Sequence, residues 1–291
     1  MAFDLKSFGK TLVYEGTPSG PQLQANFKQI AVQDKKAEKK RTLYFTIAII
    51  SAICAFVGFI WAAQETAAGV LLLVPIVLLL VAMVTGVLGG RWNQFAVPDL
   101  RYTLPMQLVD MLERDMAKNT AFATRIDFSA PTKKKKQVAK GPWPARSGWT
   151  QASFEDPWLR LSGQFLDNTR FALTLTELTV VRSGWKRSRS GKRKHKTKTK
   201  PKGMEAQLLL KFSRKRYGAV TALQPDLAGA VNLPQQVSLK KIKVNDHQLL
   251  LRAKVAPNSL DADGLYQLFT QMLLSAYQVL NLSKELSKSS A

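Results

Sequence analysis

Two long apolar stretches, separated only by Gln64 and Glu65, constrain this chain more than any other feature. They cover residues 42–63 and 66–88, and neither contains a charged side chain. At about 1.5 Å per residue, a helix of either length crosses a hydrocarbon core of roughly 30 Å. The sequence therefore predicts a membrane α-helical hairpin of two transmembrane helices. The alternative is a pair of core helices in a soluble protein, but those are usually shorter and carry a polar face.

Lys and Arg residues flank the apolar stretches, whereas the short connection at Glu65 contains none. The residues that precede the first stretch are Lys35, Lys36, Lys39, Lys40 and Arg41, and those that follow the second are Arg91 and Arg101. The positive-inside rule then predicts a multi-pass protein of the plasma membrane or bacterial inner membrane, with both termini cytoplasmic. The start of the chain lacks the features of a cleavable signal, so we expect the first span to be an uncleaved anchor.

Small side chains recur along both apolar stretches. Ala82, Gly86 and Gly90 are spaced every four residues on the second, and a similar stripe on the first comprises Ser51, Ala55, Gly58 and Ala62. Because small residues let helix backbones approach closely, Ala82, Gly86 and Gly90 are predicted helix-packing positions, in a tight hairpin or a homo-oligomer. The alternative is that Gly and Ala are simply common in membrane helices.

The sequence divides into four regions. Residues 1–41 form a cytoplasmic N-terminal arm, residues 42–90 the two-helix transmembrane hairpin, and residues 91–120 a juxtamembrane helical connector. In the arm, Phe3, Leu5, Phe8 and Leu12 fit one side of a short amphipathic helix, which would lie on the membrane or against the cytoplasmic domain. We expect residues 121–291 to form a cytoplasmic antiparallel β domain with a basic hairpin and a C-terminal helix.

The predicted cytoplasmic domain is of the α+β class, with a mainly antiparallel sheet or open barrel. A helix is predicted over Pro105–Lys118, alternating apolar residues then indicate half-buried strands, and the terminal helix follows Ser259. Its apolar face comprises Leu265, Leu268, Phe269, Met272, Leu273, Ala276 and Leu280. About six strands followed by a helix resembles the topology of pleckstrin-homology-like barrels, and that resemblance implies lipid headgroups at basic strand loops.

Positive charge is concentrated in two patches of the cytoplasmic part. Between Arg182 and Arg216 there are 15 Lys and Arg residues against Glu205 alone, a net charge of +14 within the chain's total of +23. Dense patches on an otherwise balanced domain favour an anionic partner. The predicted anion-binding residues are Lys133, Lys134, Lys135, Lys136, Lys186, Arg187, Arg189, Lys192, Arg193, Lys194, Lys196, Lys198, Lys200 and Lys202.

Within the larger patch, lysine occupies every second position from Lys194 to Lys202. An extended strand would project these five lysines from one side. The flanking sequences favour strands, so the pattern predicts a hairpin over roughly Arg170–Arg216. The alternative is a solvated loop, because like charges repel and the segment contains several turn-forming Ser and Gly residues.

Tryptophans accompany both patches, at Trp143, Trp149, Trp158 and Trp185. Trp beside lysines suits a membrane interface, where the indole ring lies at headgroup level. The same residues also suit stacking on nucleic-acid bases, or packing in the protein core.

The sequence contains no motif that indicates a chemical reaction. The Gly184–Lys192 segment lacks phosphate-loop spacing, and His195 and His247 have no cytoplasmic Cys or further His with which to form a zinc site. Cys54, in the first span, is the only cysteine of the sequence, so an intrachain disulfide cannot form. We therefore expect a protein that is not an enzyme, with no catalytic residue, no cofactor and no metal.

The leading expectation is an anchor or scaffold whose basic cytoplasmic domain binds anionic phospholipid headgroups or an acidic protein surface near the membrane. The first alternative is sequence-nonspecific nucleic-acid binding by a membrane-tethered domain. The second is an oligomeric pore or assembly subunit, although the lack of charged residues within the spans weighs against ion conduction.

Overall fold

The computed structural model describes residues 8–9, 11–62, 72–93, 97–224, 229 and 231–289. These residues form two compact units, one containing residues 26–98 and the other containing the remainder. The predicted connection at residues 64–66 lies outside the described residues, as do Phe3 and Leu5 of the predicted amphipathic helix.

Two long apolar helices dominate the first unit. Helix α1 covers Gly20–Ala62, a length of 43 residues, and helix α2 covers Leu73–Asn93. Both are long and apolar enough, by length and composition, to cross a membrane. Helix α1 joins the charged segment before the first apolar stretch to the stretch itself without a break.

The two apolar helices approach each other at small residues. A Cβ atom added at Gly58 would lie 3.3 Å from Pro75, and one added at Gly89 would lie 3.4 Å from the Phe45 ring. The stripe on α1 is buried at Ser51, Ala55 and Ala62. In contrast, a Cβ atom at Gly86 or Gly90 would meet no described atom within 4 Å, so neither glycine is needed for the approach of α1. Gly89, one position away from the predicted Gly90, is a small residue of α2 that lies against α1.

The second unit is built on one antiparallel sheet. In chain order its strands are β1 (Val13–Gly16), β2 (Ala123–Asp127), β3 (Gln137–Pro142), β4 (Trp149–Gln164), β5 (Arg170–Arg187), β6 (Arg193–Lys211), β7 (Val237–Asn245) and β8 (Gln248–Val255). They are ordered β1-β2-β4-β5-β6-β8-β7, and β3 also pairs with β4. Because β1 and β7 end this order and do not pair with each other in the described sheet, the sheet is open.

Helices complete this unit. Helix α3 covers Leu100–Glu113, the short α4 covers Arg214–Tyr217, and the C-terminal α5 covers Ala262–Ser289. Single 3-10 turns lie at Lys134–Lys136 and Val220–Leu223. The predicted apolar face of α5 is confirmed, since all seven of its residues are buried. Fully burying an apolar side chain of this size contributes about 1.5–3 kcal/mol, so this face is a main source of stability.

Several elements differ from the sequence prediction, which expected about six strands where the sheet has eight and did not include β3. The helix predicted over Pro105–Lys118 begins at Leu100 and contains Pro105 in its interior. The prediction placed proline in the first turn, where its missing N–H is best tolerated. Strand β1 was not predicted, because four residues are too few to show an alternating pattern. Its pairing of Tyr14 with Ile126 makes residues before α1 part of the sheet.

Candidate anion-binding arm

The basic segment forms an ordered hairpin, as one of the two alternatives predicted. Strand β4 begins at Trp149, which is opposite Gly184 of β5. Beyond that point β5 and β6 pair only with each other, up to Arg187 and Arg193. We call residues 182–200 the basic arm. Its outer half is therefore a two-stranded ribbon that extends past the rest of the sheet.

The strand register places most of the alternating lysines on one face of the arm. Arg182 pairs with Lys198, Gly184 with Lys196, and Lys186 with Lys194. Directly opposed residues of an antiparallel pair point to the same side of the sheet. Lys194, Lys196, Lys198 and Lys200 thus share a face with Lys186 and Arg182, and all four lysines are exposed.

Lys202 departs from this register. Thr179 pairs with Pro201 and Leu178 with Gly203, so Lys202 is an extra residue in a β-bulge. Gly203 has a φ of 104°, a conformation that favours glycine. Lys202 is exposed, but the alternation of the other four lysines does not continue through it.

The tip of the arm carries the remaining predicted cations of this patch. Lys186, Arg187, Arg189, Lys192 and Arg193 are all exposed. The turn is closed by a hydrogen bond from the Ser188 N–H to the Lys192 carbonyl at 2.8 Å. Within the described chain, no ion pair joins an arm cation to a carboxylate. The arm therefore presents a dense positive charge that its own fold does not neutralise.

The Lys133–Lys136 patch is divided by the fold. Lys133 and Lys134 are exposed, whereas the Lys135 ammonium lies 3.4 Å from an Asp127 carboxylate oxygen. Lys136 is buried, and its Nζ lies 3.2 Å from Asp127 Oδ2 and 2.8 Å from Asp156 Oδ1. Lys136 is thus held inside the domain by carboxylates and does not present its charge at the surface, unlike the exposed lysines predicted with it.

Arg101 completes this buried group of charges. Its Nη2 lies 2.8 Å from Asp156 Oδ2 and 3.0 Å from Glu177 Oε2, and its Nη1 donates to the Ser129 carbonyl at 2.9 Å. Burial alone would raise the pKa of Asp127, but hydrogen bonds from Ser129 and the charge of Lys136 outweigh it and lower the pKa below its usual value. Opposite charges are matched here, which indicates a structural role.

A cavity of about 340 Å³ lies at the base of the arm. It is lined by Trp143, Arg146, Trp149, Arg182, Lys198, Thr199 and Lys200. The Arg182 guanidinium lies 4.4 Å from the centre of the Trp143 ring, and that of Arg146 lies 4.4 Å from the centre of the Trp149 ring. Cation–π contact holds both guanidinium groups against flat aromatic surfaces. We call this cavity the Trp–Arg pocket.

Tryptophans of this domain serve different purposes. Trp149 is buried, and its indole Nε1 donates to the Trp185 carbonyl at 3.2 Å. Trp158 is also buried, under the Arg101 guanidinium. Trp185, in contrast, is 62% exposed on the arm, where it contacts the His195 ring. Trp149 and Trp158 therefore fit the core alternative, and Trp185 is the one of these three available to a partner.

Sequence reasoning missed the Trp–Arg pocket. Arg146 was not singled out, and Arg182 was only the boundary of a patch. The available signal was the regular three-residue spacing of Trp143, Arg146 and Trp149, which ends at the first residue of β4. What brings Arg182 to that loop is the long-range β4–β5 register, in which Gln151 is opposite Arg182.

A second, larger cavity of about 450 Å³ is mostly apolar. Its lining includes Met111 and Leu112 of α3, Phe165, and Leu273 of α5. The Asp167 carboxylate at its edge accepts hydrogen bonds from Thr169, Tyr217 and Tyr277. The Asp167 carboxylate of this cavity is therefore already hydrogen-bonded within the fold.

Comparison with known proteins adds no functional assignment: no family model, no curated protein and no solved structure matches the chain. The described residues also contain no group of three or more His, Cys, Asp or Glu side chains arranged to hold a metal ion.

Proposed function

We propose that this chain is a non-enzymatic, multi-pass membrane protein that acts as an anchor or scaffold, and that its basic arm binds anionic lipid headgroups of the membrane in which it resides. The observation that carries the proposal is the shared face of Lys194, Lys196, Lys198 and Lys200 on a projecting ribbon. Exposed Lys133 and Lys134 add to the same positive surface charge of the domain.

Membrane residence is supported by what α1 and α2 expose. In the most apolar window of each helix, only 11% of the residues are buried inside the protein. A core helix of a soluble protein is mostly buried, whereas Phe56 is 66% exposed and Trp61 is 73% exposed. Large apolar surfaces of this kind are stable in lipid and costly in water.

Anionic lipid is the partner that suits the arm, because a domain tethered by membrane helices is always close to headgroups. Each Lys or Arg brought to an anionic leaflet contributes about 1 kcal/mol. The lysines of one ribbon face can approach a flat surface together, so their contributions add before screening and side-chain ordering reduce the sum. The proposal places the arm, both termini and the sheet domain on the cytoplasmic side.

Cysteine labelling in intact cells tests this topology. With Cys54 replaced by Ala, a single Cys is introduced at Glu65 or at Ser289 and exposed to a membrane-impermeant reagent. The proposal expects labelling at position 65 and none at position 289 until the cells are opened. Labelling at position 289 alone would place the arm on the other side and contradict the proposed leaflet.

Lipid docking is best tested on the full chain, because β1 precedes α1 and a domain cut at residue 98 would lose it. The protein, carrying Cys54→Ala and a fluorophore at Ser190→Cys on the arm tip, is placed in nanodiscs of phosphatidylcholine with or without phosphatidylglycerol. Headgroup-attached quenchers then report the distance of the tip from the lipid. We expect quenching only with phosphatidylglycerol, decreasing as salt is raised.

A five-lysine variant identifies the surface responsible. Replacing Lys194, Lys196, Lys198, Lys200 and Lys202 with Gln should remove most of the phosphatidylglycerol-dependent quenching. A control with the same loss of charge replaces five exposed lysines elsewhere with Gln: Lys118, Lys211, Lys215, Lys241 and Lys243. Equal loss of quenching in both variants would show that docking depends on the net charge of the domain and not on the lysines of the arm. Tighter binding of single-stranded RNA than of anionic lipid at matched salt would favour the nucleic-acid alternative instead.

A further inference from the structure

We propose that the Trp–Arg pocket at the base of the arm is a specific site for a phosphomonoester group, of the kind carried by phosphatidic acid and other phosphorylated lipid headgroups. This inference rests on the proposed function, since it assigns to one cavity a headgroup chemistry that the exposed lysines of the arm do not distinguish. The cavity volume of about 340 Å³ suits a small phosphorylated headgroup.

Arg182 is the central residue of this site because it is oriented before any ligand arrives. Its guanidinium face lies over the Trp143 ring, and its Nε donates to Gln151 Oε1 at 2.9 Å. One face and one edge of the group are thus fixed. The two terminal amino groups have no hydrogen-bond partner within the described chain, and a fixed guanidinium with free amino groups suits bidentate binding of phosphate.

Three further cations converge on the same cavity. Arg146 lies over Trp149, Lys198 is opposite Arg182 in the strand register, and Lys200 is two residues further along the same face. The cavity lining contains no Asp or Glu. By comparison, the buried cations Arg101 and Lys136 each contact two carboxylates. In this pocket the protein supplies positive charge and leaves the negative charge to a ligand.

The tryptophans favour phosphate recognition over base stacking. Trp149 is only 3% exposed, and it lies between Arg146 and Gly184, where an added Cβ atom would be 2.5 Å from its ring. Trp143 has Arg182 against its face and the Trp149 ring 5.8 Å away. Stacking of a nucleobase needs an open aromatic face. The faces of these rings contact guanidinium groups. The guanidinium groups held in this way are positioned to bind an oxyanion.

A monoester fits this arrangement better than a diester. A phosphomonoester carries a charge of about −1.5 to −2 near neutral pH and has three unesterified oxygens. A phosphodiester, as in phosphatidylglycerol or a nucleic-acid backbone, has one charge and two such oxygens. Four cations around one cavity match the higher charge and the additional acceptor.

Calorimetric titration of the full chain in neutral detergent tests the site. The probes are glycerol 3-phosphate, which is a soluble monoester, glycerophosphoglycerol, which is the matched diester, and inorganic phosphate. We expect glycerol 3-phosphate to bind more tightly than the diester, and Arg182→Gln to weaken its binding by about 10-fold to 100-fold, the effect of losing a hydrogen bond to a charged group. Arg182→Lys should also weaken binding, since lysine lacks the planar fork.

Arg160→Gln is the matched control, because Arg160 is an exposed arginine of β4 outside the pocket. It should leave the affinity unchanged. Equal affinity for monoester and diester, or equal affinity in the Arg182 and Arg160 variants, would overturn the inference. If Arg182→Gln unfolds the protein, Arg182→Lys and Arg146→Gln provide the same test.

Two further comparisons separate this inference from the proposed function and identify the source of the phosphate. Nanodiscs containing phosphatidic acid should hold the arm tip more tightly than those with phosphatidylglycerol at equal charge, and Arg182→Gln should abolish that difference. Arm docking on both lipids with no such difference would retain the proposed function and overturn the pocket. Monoester binding without arm docking would retain the pocket and overturn the proposed function. Inorganic phosphate binding as tightly as glycerol 3-phosphate, with no lipid preference, would overturn the headgroup assignment.

Discussion

Arg101 Nη2 lies 2.8 Å from Asp156 Oδ2, and this ion pair joins α3 to β4 inside the domain. The two side chains are only 3% and 1% exposed. The ion pair therefore fixes the first turn of α3 to the sheet by a buried charge. The other charges around it are those of Lys135, Lys136, Asp127 and Glu177, which sum to zero, so the pair is not left as isolated buried ions.

The first prediction is that Arg101→Gln strongly destabilises the protein. Removing one partner of a buried ion pair typically costs about 3–5 kcal/mol, because the remaining charge is left without compensation. Thermal unfolding of the full chain in neutral detergent measures the loss.

Arg114→Gln, at the residue that directly follows α3, is the control for that measurement. Its partner is Asp110 at 2.9 Å, but the two side chains are 76% and 61% exposed. Exposed pairs contribute about 0–1 kcal/mol, so this variant should unfold close to the unmodified protein. Similar losses in the two variants would show that burial of Arg101 is not what matters.

The second prediction concerns the approach of α1 and α2. Gly89→Leu should weaken it, because an added Cβ atom would already be in van der Waals contact with the Phe45 ring at 3.4 Å, and the rest of the Leu side chain would have to displace that ring. Gly86→Leu should not, since a Cβ atom at that position meets no described atom within 4 Å. Disulfide cross-linking between Cys pairs placed in α1 and α2 reports the approach.

Gly86→Leu also tests the homo-oligomer alternative. Loss of intermolecular cross-linking in that variant, with the intramolecular contact unchanged, would assign the stripe of Ala82, Gly86 and Gly90 to self-association. Loss of the intramolecular contact would contradict the helix packing described here.

Much of the architecture follows from local patterns. The apolar stretches, the hairpin of alternating lysines and the broad face of α5 each repeat a simple period over many residues, and periodicity is the strongest signal in a single sequence. Strand β1 was not predicted because four residues are too few to show an alternating pattern. Its partner β2 is also more than 100 residues away in the sequence.

The candidate site was predictable only in part. Exposure of the arm lysines follows from their alternation, whereas the burial of Lys136 does not. Lys136 is buried against Asp127 and Asp156, which come from β2 and β4, whereas Lys133 is exposed. The Trp–Arg pocket likewise requires the β4–β5 register to bring Arg182 beside Trp143. The density of positive charge can be predicted from the sequence. Which of those charges are paired with carboxylates of distant residues cannot.

The third prediction is that Gly203→Ala disturbs the base of the arm. Gly203 has a φ of 104°, and an added Cβ atom would lie 2.1 Å from the Val255 carbonyl oxygen. Either the β6–β8 pairing or the bulge at Lys202 must change, and strained backbone of this kind costs about 1–3 kcal/mol. Gly141→Ala is the control, because a Cβ atom there meets nothing within 4 Å. A lower unfolding temperature for Gly203→Ala alone is expected, and equal temperatures would contradict the assigned strain.

The last prediction concerns the pH dependence of stability at Asp167. Burial would raise the pKa of this carboxyl, but hydrogen bonds from Tyr217, Thr169 and Tyr277 outweigh it and lower the pKa below its usual value. A carboxyl whose pKa is lower in the folded than in the unfolded state stabilises the fold above the unfolded value of about 3.9. That stabilisation is lost as the pH falls through the lower, folded value.

Asp167→Asn should therefore reduce stability by about 1–3 kcal/mol at neutral pH, because three donors lose their charged acceptor. The difference from the unmodified protein should shrink as the pH falls below about 4, where the carboxyl of the unfolded chain is already protonated. Unfolding temperatures measured from pH 7 to pH 3 in neutral detergent give both results. Asp110→Asn, at an exposed ion pair, should show little change at any pH. A constant difference between Asp167→Asn and the unmodified protein across this range would mean that the charge of Asp167 does not stabilise the fold.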